Sequence, residues 1–159
     1  MVKEGQAAPD FTLKDDEGNS VSLSDFSGHK IVLYFYPKDD TPGCTNEACE
    51  FRDEFAEFRT RGILIVGVSP DSPESHAAFK AKYGLRFALL SDPDKKVMKA
   101  YGVWKEKSMY GRKYLGVERT TFIIDGQGTI NKVFSKVKAS RHAADLLKAF
   151  GHLKTFVRT

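Results

Sequence analysis

Six apolar or aromatic residues in succession, Ile31 to Tyr36, followed at once by Pro37, are the strongest constraint this chain places on its own fold. A run of that kind suits a strand buried on both faces, as at the centre of a helix-flanked sheet. Proline cannot donate to a sheet ladder, so the strand stops there. Lys38-Asp39-Asp40 reads as a turn, and Thr41-Pro42 as the N-cap and first position of a helix. Both cysteines of the chain, Cys44 and Cys49, fall on that helix.

The helix sorts the two thiols. Cys44 takes its third position, where backbone N–H groups lack helical partners and the positive end of the dipole favours an anion, so a thiolate is favoured there. Ala48, Phe51, Phe55 and Phe58 follow Cys44 at spacings of three and four, one helical stripe. Cys44 therefore shares the inward face and Cys49 points elsewhere. In an intact helix, Cα atoms five residues apart are roughly 8–9 Å from each other, beyond disulfide reach. A Cys44–Cys49 bond requires the first turn or two to unwind. Pro42, Gly43, Thr45 and Asn46 are modest or poor helix formers, which makes that feasible.

Pro37-x-x-x-Thr41-x-x-Cys44 matches the Pro-x-x-x-Thr/Ser-x-x-Cys signature of peroxiredoxins. Thr41-Pro-Gly-Cys-Thr-x-Glu-Ala-Cys49 resembles their peroxiredoxin Q (bacterioferritin comigratory protein) branch, which carries a second cysteine five residues after the first. The similarity runs along essentially the whole chain, from Gly5-x-x-Ala-Pro-Asp-Phe11 to Arg119-Thr-Thr-Phe-Ile-Ile-Asp125. The resemblance implies a thiol peroxidase acting on hydrogen peroxide and organic hydroperoxides. It implies Cys44 as the attacking cysteine and Cys49 as the resolving one, joined as an intramolecular disulfide. Arg119 is implied as the active-site arginine, Thr41 as a hydroxyl bridging thiolate and peroxide, and Pro37 as a shield of the thiolate and a wall of the substrate pocket. The disulfide is then recycled by thioredoxin or a glutaredoxin-like dithiol protein. No metal, haem, flavin or other cofactor is implied.

Magnitudes support the need for an arginine. A thiol of ordinary pKa, ~8.5, is only ~3% thiolate at pH 7, and bringing it to ~6 takes ~3.4 kcal/mol. A helix N-terminus typically supplies ~0.3–1 kcal/mol. The dipole falls short and a cation is required. Ionisation alone gains at most ~30-fold, so the charge developing on the leaving oxygen also has to be stabilised. Glu47, three residues after Cys44, reads either as a group orienting Arg119 or as an ordinary first-turn partner of the dipole.

At 159 residues with 41% apolar content, the chain is predicted to fold as one domain, 1–159. Two cysteines so close in sequence cannot brace a secreted scaffold. The polar start Met1-Val-Lys-Glu-Gly-Gln has no signal-peptide core, and no apolar run reaches membrane-spanning length, which together predict a cytoplasmic protein. No apolar stripe calls for a partner subunit, so a monomer is expected. Residues 1–60 carry 6 Lys/Arg against 13 Asp/Glu, and residues 61–159 carry 19 against 8. Lys95, Lys96, Lys99, Lys105 and Lys107 come without a nucleic-acid-binding motif and read as solvated faces rather than a nucleic-acid site. His29, His76, His142 and His152 are scattered without ligand spacing, which argues against a metal held by histidines and the two cysteines.

Pro9–Leu13 and Ser20–Leu23 predict an N-terminal hairpin. The helix from Pro42 is predicted to run to Arg59, before a strand over Ile63–Ser69. Ser72-Pro73 opens a helix closing at Gly84, and Phe87–Leu90 is a short strand. Asp92 and Asp94 cap a helix ending at Gly102, Trp104–Gly116 reads as a loop lying over the site, and Val117–Ile124 with Thr129–Phe134 form a hairpin. Ser140 caps a last helix. This order predicts an α/β, thioredoxin-like fold: a central mixed sheet flanked by helices, with an added N-terminal β-hairpin. Two other functions fit such a fold. A protein disulfide oxidoreductase normally shows Cys-x-x-Cys, which the longer gap here disfavours. A binding or chaperone role would leave the thiols indifferent to peroxide.

Overall fold

In the computed structural model, residues 1–157 are described, with side chains as far as Phe150; the side chain of His152 lies outside them. The central run becomes β3 (Lys30–Phe35), and Tyr36 still donates to Val68 O at 3.1 Å before Pro37 ends the ladder. β3 is parallel to β4 (Ile63–Ser69) on one side and antiparallel to β8 (Thr120–Ile124) on the other. Outside these lie β5 (Ala88–Ser91) and β9 (Ile130–Phe134). The hairpin of β1 (Thr12–Lys14) and β2 (Ser20–Ser22) extends the β5 edge, giving one seven-stranded mixed sheet in the order β2-β1-β5-β4-β3-β8-β9.

Alternation along β3 divides the interior in two. Val32, Tyr34 and Tyr36 face the core shared with α1 (Pro42–Asp53), α2 (Phe55–Thr60), α3 (Pro73–Tyr83) and α5 (His142–Val157). Ile31, Leu33 and Phe35 face a second core with Val97, Met98 and Tyr101 of α4 (Lys96–Tyr101). A strand covered on both faces can be apolar at every position, hence the unbroken run.

Several boundaries differ from the sequence reading. The helix predicted to Arg59 breaks at Glu54, separating α1 from α2, while Phe51 and Phe58 on either side of the break remain buried. α4 starts after Lys95, in the left-handed region at φ 60; Asp92 supplies the cap from further back, accepting from Met98 N at 2.9 Å, and Asp94 does not take that position. α5 begins at His142, with the Arg141 carbonyl rather than Ser140 taking the first helical bond, from Asp145 N. The largest correction is Trp104–Gly116. It is a two-stranded hairpin, β6 (Trp104–Met109) with β7 (Arg112–Val117), forming a separate small sheet. Its turn places Tyr110 at φ 52 and Gly111 at φ 77, the two positive values of a type I′ turn, and Tyr110 is 98% exposed. Val117 therefore belongs to β7 and not to the strand that follows.

Candidate active site

α1 starts as its sequence requires, with Thr41 extended (φ −102, ψ 155) and Pro42 at the first helical position. The Thr41 hydroxyl does not cap the helix; it donates back to Lys38 O at 2.8 Å. The amides at the start of α1 are therefore not taken up by a capping side chain. Cys44 stands among them at the third position, 1% exposed.

Arg119 comes from a distant part of the chain, 75 residues after Cys44. It occupies the two-residue gap between β7 and β8, where the chain passes from the small sheet into the central one. Its carbonyl accepts from Val137 N at 2.9 Å, while Glu118, its neighbour, is ion-paired with Lys105. The guanidinium reaches α1 and divides between two residues of consecutive turns. Nη2 donates to Cys44 Sγ at 3.3 Å and Nη1 to Glu47 Oε1 at 2.7 Å. Gly43 makes room for it, since a Cβ there would lie 3.2 Å from Arg119 Nη2. Gly43 is a site residue that the sequence reading treated only as a poor helix former.

Electrostatics follow from the enclosure. Burial pushes the Glu47 carboxyl up to about 7, although the Arg119 guanidinium beside it pulls the other way. Glu47 thus passes from neutral acceptor to ion-pair partner near neutral pH. Its Oε2, and the hydroxyl of Tyr34 above the same core, have no hydrogen-bond partner among the described residues. Burial disfavours the charge on Arg119, but Glu47 and Cys44 outweigh it and hold its pKa above the ordinary value. His142 lies under α1, edge-on to Phe51, with Nε2 2.8 Å from Thr121 Oγ1. Burial pulls it down to about 4, so it is neutral at ordinary pH.

Arg119 also lines an open groove of about 610 Å³ with Lys105, Lys107, Glu118 and Lys136. Cys49 is free like Cys44 but half-buried, and it lines a separate hollow with Thr41, Asn46 and Tyr83. Pro37 is exposed in the turn after β3. Of the residues singled out from sequence, the fold brings Cys44, Glu47 and Arg119 into direct contact. Thr41 sits at the helix start, its hydroxyl turned to Lys38.

A second buried cluster was invisible in the sequence. Asp39 Oδ2 is 2.7 Å from His76 Nδ1, Asp39 Oδ1 accepts from Tyr36 OH at 2.6 Å, and Asp39 N donates to Asp71 Oδ2 at 2.7 Å. The donor atoms of Asp39, Asp71 and His76 lie within 4.8 Å of one another, the spacing a cation would need. Each is already engaged: Ser75 and Tyr36 donate to Asp39, Ser69 donates to Asp71, and His76 Nε2 donates to Leu90 O at 3.0 Å. The cluster reads as a hydrogen-bonded tie between the turn before α1 and the segment before α3.

The model of the AhpC/TSA family matches residues 4–133. Peroxiredoxin Bcp of Bacillus subtilis is 51% identical over 147 residues, covering 92% of this chain and 94% of that protein. Peroxiredoxin Bcp of Escherichia coli is 45% identical over 141 residues, covering 89% and 90%. Among solved structures, the Xanthomonas campestris bacterioferritin comigratory protein, described in terms of its alkyl peroxide reduction, superposes with a TM-score of 0.85 at 42% identity, covering 89% of this chain and 90% of that one. A cysteine-to-serine mutant of Xylella fastidiosa PrxQ superposes with a TM-score of 0.91 at 35% identity, covering 97% and 98%.

Proposed function

Because this chain belongs to the AhpC/TSA family of peroxiredoxins, in its Bcp (peroxiredoxin Q) branch, we propose that it is a peroxidase whose working nucleophile is Cys44. The observation that carries the assignment is the 3.3 Å contact between Arg119 Nη2 and Cys44 Sγ at the opening turn of α1. The Cys44 thiolate attacks the outer oxygen of ROOH. An S–O bond forms, the O–O bond breaks, and the leaving oxygen departs as alcohol or water after taking a proton, leaving a sulfenic acid. Negative charge moves from sulfur to the leaving oxygen during this step. The Arg119 guanidinium and the α1 amides are donors placed where that charge travels, which is where stabilisation accelerates a reaction. Peroxide enters along the groove that Arg119 lines. Thr41 and Pro37 flank the entry to α1, and binding the substrate from that turn requires the Thr41 hydroxyl to leave Lys38 O.

Cys49, five residues on, then condenses with the sulfenic acid to an intramolecular disulfide, which a dithiol protein such as thioredoxin or a glutaredoxin reduces by exchange. No helix among the described residues is long and apolar enough to cross a membrane. A reducing cytoplasm and a monomeric enzyme suit this cycle. The test is mass spectrometry after one equivalent of hydrogen peroxide, with digestion under non-reducing conditions. The wild type yields a peptide linked internally between Cys44 and Cys49, and Cys44→Ser yields none and turns over no peroxide. Wild-type turnover by Cys44→Ser removes the assignment.

A further inference from the structure

We propose that Asn46 and Glu50 form a latch that holds the first turns of α1 shut, making Glu50 a positioning residue that sets how fast Cys49 reaches oxidised Cys44. The inference rests on the peroxidase cycle above and concerns its second step. In that step the Cys49 sulfur attacks the Cys44 sulfenic sulfur, an S–S bond forms, the S–O bond breaks, and the oxygen leaves as water with the Cys49 proton.

The segment that has to move is sharply bounded. On its N-terminal side the chain is pinned through Asp40. Asp39 is tied to Asp71 and His76, and Asp40, held at φ 56, accepts from Lys82 Nζ and Tyr83 OH, each at 2.8 Å. On its C-terminal side Phe51 is fully buried in the core. Between these anchors, three sets of side-chain contacts hold α1. Arg119 grips Cys44 and Glu47 from the interior. At the surface, Asn46 Nδ2 donates to Ala139 O at 3.2 Å, and Glu50 Oε2 accepts from Arg141 N at 2.7 Å. Asn46 and Glu50 bracket Cys49, and their own side chains come within 3.5 Å.

Oxidation treats these contacts differently. A thiolate attracts the Arg119 guanidinium, but a sulfenic acid is neutral, so the interior grip on Cys44 slackens as soon as peroxide has reacted. The Asn46 and Glu50 bonds to residues 139–141 involve no redox-active group and stay in place. Glu50 is also well placed to persist, because its carboxylate meets the start of α5, where a negative charge is favoured. What remains to be broken before Cys49 can approach is therefore the Arg119–Glu47 contact in the interior and the latch at the surface, and the latch is the part nearest Cys49 in sequence. A tight latch lengthens the life of the sulfenic acid, and excess peroxide can then carry it on to the sulfinic acid.

Glu50→Met removes the acceptor with little change in helix propensity, and Asn46→Thr removes the amide donor on the same terms. Glu50→Gln keeps an acceptor for Arg141 N without the charge. After one equivalent of hydrogen peroxide, rapid quenching and mass spectrometry follow sulfenic acid and disulfide separately. Cys44 oxidation is expected at the wild-type rate in all three variants. Disulfide formation should quicken by roughly three- to tenfold in Glu50→Met and Asn46→Thr, the range that loss of one such bond allows, with Glu50→Gln between. More peroxide is then needed to reach the same sulfinic fraction. Equal or slower disulfide formation in both variants overturns the latch. Amide hydrogen exchange in the reduced protein reads it without any peroxide: protection over residues 43–49 should fall in the variants, and unchanged protection overturns the proposal even where the chemistry is intact. Failure of wild-type Cys44 to oxidise counts against the peroxidase reading instead.

Discussion

One planar guanidinium, that of Arg119, holds the Cys44 sulfur at 3.3 Å through Nη2 across 75 residues of sequence, while its Nη1 holds Glu47 at 2.7 Å. A fork of fixed geometry can serve two partners on adjacent helical turns at once, and a single ammonium cannot do so equally well. The reactive group, its counter-ion and the carboxylate behind it thus form one unit.

Replacing Arg119 by Lys keeps the charge and loses the fork. The rate of Cys44 oxidation should fall by roughly 10²–10³, the usual cost of removing one donor to developing charge. Stopped-flow measurement with hydrogen peroxide checks this. A lysine variant reacting at the wild-type rate would mean that only charge matters here.

Gly43→Ala separates stability from reactivity. Its Cβ would stand 3.2 Å from Arg119 Nη2, tight enough that the guanidinium has to shift by a few tenths of an ångström and its contact with the sulfur lengthens. The same methyl group favours the helix by ~0.5–1 kcal/mol. Urea denaturation should therefore show a more stable protein while peroxide reaction slows. A variant that is both more stable and equally fast would show that Arg119 tolerates displacement.

Glu47 links stability to pH. Its carboxyl is pushed by burial from an ordinary 4.5 to about 7, so the folded state holds this proton more tightly than the unfolded one. Its contribution is fully present below about pH 4.5 and is lost as pH rises through about 7. Glu47→Gln has no proton to lose, so its stability relative to wild type should rise by on the order of 2 kcal/mol between mildly acid and mildly alkaline pH. His142 has the opposite sign. Held down at about 4 by burial, it takes stability away as pH falls below its ordinary 6.5, and it partly masks Glu47 in the wild-type curve. The comparison between variant and wild type at each pH, by urea midpoints, isolates Glu47. A constant difference across that range would refute the link.

Asp39 and His76 are expected to act as one structural unit. Truncating His76 to Ala leaves a buried carboxylate short of a partner and should cost ~3–5 kcal/mol. Asp39→Ala and the double variant complete a cycle, and a coupling of at least ~0.5 kcal/mol is expected for groups in direct contact. Additive losses in chemical denaturation would show that the contact at 2.7 Å carries no coupling.

The parts of the molecule visible in sequence are those governed by short-range rules. β3 announces itself because both of its faces are covered, and α3 because Ser72 caps it, accepting from Ser75 N at 3.1 Å, before Gly84 closes it at φ 65. The β6–β7 hairpin hides because neither face is deeply buried, so no apolar alternation marks it; only the Tyr110-Gly111 turn signals it. The break at Glu54 hides for the converse reason, since the stripe of buried residues continues from Phe51 to Phe58 across it. Asp39 precedes Asp71 by 32 residues and His76 by 37, and no local pattern connects those two segments.

The sequence by itself determined that Cys44 opens a helix on its inward side with Cys49 turned away, because helix starts and helical periodicity are set by neighbours a few residues apart. Only the tertiary structure decided that the cation beside the sulfur is Arg119, that Gly43 clears its path, and that Glu50 ties the helix to the start of α5. Those contacts join residues 75 to 91 positions apart in sequence, and their geometry exists only once the β7–β8 junction and the start of α5 have packed against α1.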